Sequence, residues 1–161
     1  MNFDEELFKK FIAAAEPAGG ASAGAADKSV LSWLNQSELP VELKAFLSGN
    51  SPKTELWAGA GAIFEEKAIV KWNDDFPAPV KSGLLIIGSA ANGDHIVLDF
   101  LEGHGAVGYL NHEQDVSVCE PRDFFVPVAK SIGEFLTEIN DEDATLPEDY
   151  FEAVERLKIT H

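Results

Sequence analysis

The sequence predicts an α+β domain with helices first, an antiparallel meander in the middle and helices last. Three observations carry this. Apolar residues recur at helical 3–4 spacing near both ends of the chain. From Leu84 onward that period gives way to short apolar or alternating runs. Brief Gly- and Asn-containing loops join those runs, which favours antiparallel pairing.

The first helix is read over residues 2–16, NFDEELFKKFIAAAE, with Phe3, Leu7, Phe8, Phe11 and Ile12 on one stripe. Pro17 ends it, and residues 17–26, PAGGASAGAA, read as a flexible connector. A second helix is expected from Asp27 or Ser29 to Asn35, with Val30, Leu31 and Leu34 on one side and Trp33 beside them. In LPVELKAFLSGN, Pro40 suits the first helical position, where its missing N–H has no partner to lose. Leu43, Phe46 and Leu47 form the apolar face, and Gly49 and Asn50 suit a helix end with positive φ. Residues 55–64, ELWAGAGAIF, read as short strands broken by glycines. EEKAIVKWNDD reads as a short helix that buries Ile69, Val70 and Trp72.

The meander opens with LLIIGS, a continuous apolar strand. HIVLDF alternates Ile96, Leu98 and Phe100 against Val97 and Asp99, and GAVGYLNHE sets Val107 and Tyr109 on one face. Between the first two strands, Asn92-Gly93 is a hairpin dipeptide, because both residues tolerate positive φ. DFFVPV, 123–128, can add a strand, and Pro127 confines it to an edge or a strand end. SIGEFLTEIN is a helix capped by Ser131 with Glu134 in capping-box position and Ile132, Phe135, Leu136 and Ile139 inward. A last helix, about 147–158, has Pro147 near its start and Tyr150, Phe151, Val154 and Leu157 as its apolar residues. Trp33, Trp57 and Trp72 read as core or core-edge residues.

The length of 161 residues suits one domain, 1–161, and 45% hydrophobic residues with 11 Phe are enough for a core. No apolar run approaches the ~20 residues of a membrane span. The N-terminus lacks the basic and apolar stretches of a secretion signal, and a single cysteine, Cys119, excludes an internal disulfide. A cytoplasmic location is the expectation. The net charge is −16. Residues 1–93 carry 12 acids and 8 bases, whereas residues 94–161 carry 16 acids and 4 bases. Such a field repels nucleic acid and anionic membranes and attracts cationic proteins. The acid-rich stretch Glu138–Glu155 is either a solvated face or a docking surface.

Little in the chain points to catalysis. Gly88 and Gly93 have P-loop spacing, but Asp94 stands where a phosphate-binding lysine is required. A dinucleotide loop would lead into a helix, and HIVLDF is strand-like. His95, His104, His112 and His161 form no compact metal motif, although His95 and Asp99 share a strand face. No G-x-S-x-G elbow occurs, and Glu120 beside Cys119 disfavours a thiolate. Neither a cofactor nor a metal is expected.

The order of these features resembles the SUKH superfamily, which holds Smi/Knr-type cell-wall-synthesis regulators and bacterial immunity proteins. LPVELKAFL, with Leu39, Pro40, Leu43, Phe46 and Leu47, looks like the family's opening helix motif. GSAANGDHIVLDF looks like its central hairpin, through Gly88, Ser89, Gly93, Asp94, Leu98 and Asp99. GAVGYLNHE, through Val107, Tyr109, His112 and Glu113, is similar to the next strand. Ser131, Phe135 and Leu136 match the closing helix, so the resemblance spans about residues 38–140. The segment 17–26 has no family counterpart, and the turn after the helix is Gly-Asn-Ser rather than Asn-Gly-Gly.

The resemblance implies a strongly bent antiparallel sheet of about 4–6 strands with helices packed on it. It also implies a cytoplasmic immunity-type protein that is not an enzyme. Such a protein binds a cognate secreted toxin, such as a nuclease or deaminase, and covers its active site. A toxin that grips nucleic acid is basic around its site, and the acid excess would steer this chain to it. The candidate partner-binding acids lie near turns and in the C-terminal half: Asp94, Glu102, Glu113, Asp115, Asp141, Glu142 and Asp143. Two alternatives stay open: an intracellular scaffold or regulator of the cell-wall type, and a small metal-dependent hydrolase that uses the histidines.

Overall fold

A computed structural model describes residues 1–16, 21–115, 118–143 and 146–160, the side chains of 157–160 excepted. The N-terminal half contains α1 (Glu5–Ala15), β1 (Ala23–Gly24), α2 (Lys28–Gln36), α3 (Val41–Gly49), β2 (Ser51–Pro52), β3 (Leu56–Ala58), β4 (Gly61–Ile63), α4 (Glu66–Asp75) and α5 (Pro77–Lys81). The C-terminal half contains β5 (Leu84–Ser89), β6 (His95–Asp99), β7 (Ala106–Leu110), a 3-10 turn (Pro121–Phe124), β8 (Phe125–Ala129), α6 (Ile132–Ile139) and α7 (Tyr150–Thr160).

The fold is α+β. Strands β3 to β8 form one curled antiparallel sheet in chain order, while β1 and β2 pair separately. The β3–β4, β5–β6 and β6–β7 connections are only a few residues long and leave consecutive strands side by side, while the longer β4–β5 and β7–β8 connections also return to the neighbouring position. Leu85, Ile87, Ile96, Leu98, Val107 and Tyr109 join the main core, together with Phe8, Leu34, Leu43, Phe46, Phe135 and Leu136 from the helices. The opposite face holds a second cluster of Leu84, Ile86, Val97 and Leu110, with Phe64, Trp72, Phe124 and Phe125 packed against it. Strand β5 is therefore buried on both faces, which explains why LLII is continuous rather than alternating. Each such aliphatic side chain contributes roughly 1.5–3 kcal/mol by leaving water.

Strand β4 is too short to reach all of β5, and α4 fills the gap. Buried Asn73 donates from Nδ2 to Ile86 O at 2.8 Å, and its Oδ1 accepts Ile86 N–H at 3.0 Å. One side chain thus replaces a missing strand partner at the point where the β5–β6 register shifts. At the other margin, Pro127 sits in the edge strand β8, where a missing N–H costs little. Helix α1 packs on α6. The bare backbone of Gly133 allows the chain at Phe3 and Asp4 to lie against it, with Gly133 N–H donating to Phe3 O at 3.1 Å.

Several expectations need correction. The connector 17–26 is in part structured: Ala21 and Ala26 are buried, and β1 pairs with β2. Residues 17–20 of that segment, the Leu157 side chain and His161 lie outside the described residues. The end of α3 does not use positive φ. Asn50 has φ −131°, and its Nδ2 donates to Phe46 O at 3.2 Å, so a side chain supplies the cap. Pro40 stands at the N-cap rather than inside the helix. Ser131 Oγ accepts Glu134 N–H at 3.0 Å, but the Glu134 carboxylate takes the N–H of Lys130, one residue before the cap. Trp57 is 63% exposed on the edge strand β3, because its neighbours Leu56 and Ala58 turn inward. Phe151 is also exposed, and Ala153 takes the inward position on α7. Helix α5 falls in FPAPVK, a stretch that the sequence reading assigns to no element.

Candidate functional site

The turn before β6 determines what its residues can do. Gly93 N–H donates to Ala90 O at 3.0 Å, and Ala90 N–H to Asp94 O at 2.8 Å. Gly93 has φ 96°, while Asn92 keeps negative φ, so only one residue of the dipeptide uses the left-handed region. The loop is longer than the two-residue turn expected, and the extra length turns Asp94 inward.

Asp94 is fully buried. Its Oδ1 accepts His112 N–H at 3.1 Å and the His112 ring Nδ1–H at 2.5 Å. Its Oδ2 accepts Asn92 Nδ2 and Tyr150 N–H, both at 2.9 Å. Burial pushes its carboxyl up, but the donors from His112, Tyr150 and Asn92 outweigh it and hold the group below the usual range. One carboxylate thus ties the β5–β6 loop to the segment after β7 and to the start of α7. Because Asp94 is an anion, the proton sits on His112 Nδ1. In the neutral ring Nε2 is then an acceptor, and no described group bonds to it.

The other end of β6 repeats the device. Asp99 is buried and accepts Leu101 N–H at 3.0 Å, Glu102 N–H at 3.1 Å, and Arg122 through Nη1 at 3.2 Å and Nη2 at 2.5 Å. Burial raises its carboxyl, but the Arg122 pairing and the backbone donors lower it further than that. Arg122 Nη1 also donates to Ser82 O at 2.8 Å, closing the start of β5.

Asp94 therefore does not face a partner; the expectation for it is corrected. The other acids reach the surface. Glu102 is 72% exposed while its carboxylate leans on Arg122 at 3.2 Å. Glu113 and Asp115 are exposed after β7, and Asp141, Glu142 and Asp143 are exposed after α6. Asn140 fixes that last loop beside the edge strand, donating to Trp57 O at 2.7 Å and accepting Gly59 N–H at 3.1 Å. The Glu148 carboxylate lies against Gly59. The acids of 141–143 and of the α7 start thus gather at one end of the sheet, next to exposed Trp57. Their charges are felt inside. Burial and then Glu148, Asp149, Glu152 and Asp94 push the Tyr109 hydroxyl up, and that hydroxyl donates to Pro147 O at 2.7 Å. Burial, Glu134 and Asp141 together raise Glu138.

Two clefts flank α5. The larger, about 490 Å³, is bounded by Trp33, Leu39, Val80, Phe100 and Leu101. Trp33 Nε1–H donates there to Asp74 at 2.9 Å. The second, about 390 Å³, lies between α5 and the segment after β7, with His95, His112, Phe76, Lys81, Asp75 and Asp115 on its walls. Phe64, Trp72 and Phe76 form a ladder of stacked rings, with centroids 5.5 and 5.4 Å apart and interplanar angles of 11° and 22°. The His95 ring stands edge-on to Trp72 at 5.4 Å. Burial, and then the neighbouring His112, hold His95 below its ordinary value.

Among the described residues, no three His, Cys, Asp or Glu side chains come together as a metal-ligand set. No helix among them is long and apolar enough to cross a membrane. Sequence reasoning missed Phe76 and Lys81. The only signal for them was the apolar-proline run FPAPV after an amphipathic helix. No protein-family model matches the chain, and no curated protein matches it.

Proposed function

We propose that this chain is an immunity-type binding protein of the SUKH kind, which neutralises a basic toxin domain by covering its active site. The observation that supports the reading best is the exposed acidic end formed by Asp141, Glu142, Asp143 and the start of α7, beside exposed Trp57. Interfaces favour an aromatic anchor with a charged surround, and complementary charge raises the association rate. Glu113 and Asp115 add the same sign of charge after β7, and Glu102 does so at the opposite end of β6. A net charge of −16 leaves nucleic acid as a poor partner for the chain itself. A cytoplasmic address and a role without catalysis belong to the same reading.

The test is a binding assay of the purified chain against the products of the neighbouring genes. One basic product is expected to bind and to lose its activity in the complex. Raising salt from ~50 to ~500 mM is expected to weaken the binding, since that shortens screening from over 10 Å to about 4 Å. The reading fails if no cationic product binds, or if binding ignores both salt and the acids.

A further inference from the structure

The second cleft has a chemistry of its own. Its wall ends in Phe76, the last ring of a three-ring stack, and Phe76 is 44% exposed. A ring stack with an accessible last member accepts another flat group. His112 stands across the cleft from α5, fixed by Asp94 so that Nε2 offers a lone pair to a donor. Asp75 and Asp115 stand on the walls, and Lys81 is the cation among the lining residues. Asp75 already pairs with Lys71 at 2.8 Å, but that pair is solvent-exposed and exchanges easily. The whole chain carries −16, so the field disfavours anions such as nucleotide phosphates.

A flat group, rich in N–H donors and positively charged, satisfies all of these conditions. The guanidinium of arginine has this combination, whereas the ammonium of lysine lacks the plane. We propose that the cleft between α5 and the segment after β7 receives an arginine side chain presented by a cationic protein partner. The guanidinium lies on Phe76, donates to His112 Nε2 and brings a positive charge to a wall that carries Asp75 and Asp115. Arginine is a frequent anchor of interfaces, and a preformed cleft of this size suits a single anchoring side chain. This inference rests on the cationic-partner reading and names the residue type that the partner contributes.

The probe is N-acetyl-arginine-N′-methylamide, with the lysine analogue as comparator, followed by NMR shifts of the Phe76 and His112 rings in the full chain. The arginine probe is expected to move both rings, and the lysine probe to move them less. Phe76→Ala is expected to weaken the arginine response about two- to fivefold, the worth of an exposed cation–π contact. Lys81→Met removes a like charge from the surface and is expected to tighten binding about twofold. Equal responses to both probes, or a response unchanged in both variants, would overturn the assignment. The two readings fail separately. If a neighbouring product binds the chain and Phe76→Ala leaves its affinity intact, the cleft assignment falls and the partner reading stands. If the probe behaves as predicted but no cationic product binds, the partner reading falls and the cleft stands.

Discussion

The two ends of β6 carry the same residue in the same degree of burial, and they solve the burial of a charge differently. Asp99 meets a full cation, Arg122, in two hydrogen bonds, so charge is cancelled on the spot. Asp94 meets one imidazole and three neutral N–H groups, from His112, Tyr150 and Asn92. The first arrangement is a closed clamp that holds the β6–β7 loop and the start of β5. The second holds an imidazole that is still 33% exposed, on the wall of a cleft. A carboxylate balanced by dipoles spends its partners on positioning a ring, whereas one balanced by an arginine is satisfied inside the fold.

The difference predicts unequal costs. Asp99→Asn takes from the Arg122 guanidinium its buried carboxylate partner, leaving Ser82 O and the exposed Glu102, and is expected to cost about 3–5 kcal/mol in urea unfolding. Asp94→Asn keeps the shape and strands no arginine, so its cost is expected to be nearer 2 kcal/mol. Equal costs, or the reverse order, would remove the distinction between clamp and positioning group.

Acid sharpens the comparison. His95 has a folded value below its unfolded one, so the unfolded chain takes up the proton first. Its contribution is complete above about pH 6.5 and is lost as pH falls through the folded value. Asp94 and Asp99 are also depressed, and their contributions are lost only below about pH 4. Unfolding free energy is expected to fall in two stages on acidification. His95→Gln is expected to flatten the first stage and leave the second, and an unchanged first stage would contradict the role given to His95.

Much of the fold was legible because it rests on local signals. The Ser131 cap, the Ile132-Phe135-Leu136-Ile139 face and the edge position enforced by Pro127 follow from chemistry within a few residues. The fate of Asp94 was not legible. An acid after Asn-Gly reads as solvated, and only donors at positions 112 and 150, 18 and 56 residues away in the chain, turn it inward. The ring ladder was hidden for the same reason, since it needs α4 beside β6 before Phe76, Trp72 and His95 can meet. Trp57 misled because an edge strand with one buried face exposes every second residue, whatever its polarity. The surface acids were legible as charge, but their gathering at one end depends on the Asn140 contacts to the β3–β4 turn.

The smallest expected effect on stability falls on those acids. Asp141→Asn, Glu142→Gln and Asp143→Asn together are expected to change unfolding free energy by no more than about 0.5 kcal/mol, as exposed substitutions do. Their effect is expected in association instead. The most direct measurement is the association rate with the cationic partner as a function of salt, for the native chain and for this triple variant. The reading predicts a slower rate and a shallower salt dependence in the variant, with the dissociation rate little changed. Identical rates and salt slopes for the two proteins would contradict an acidic docking surface at this end of the sheet.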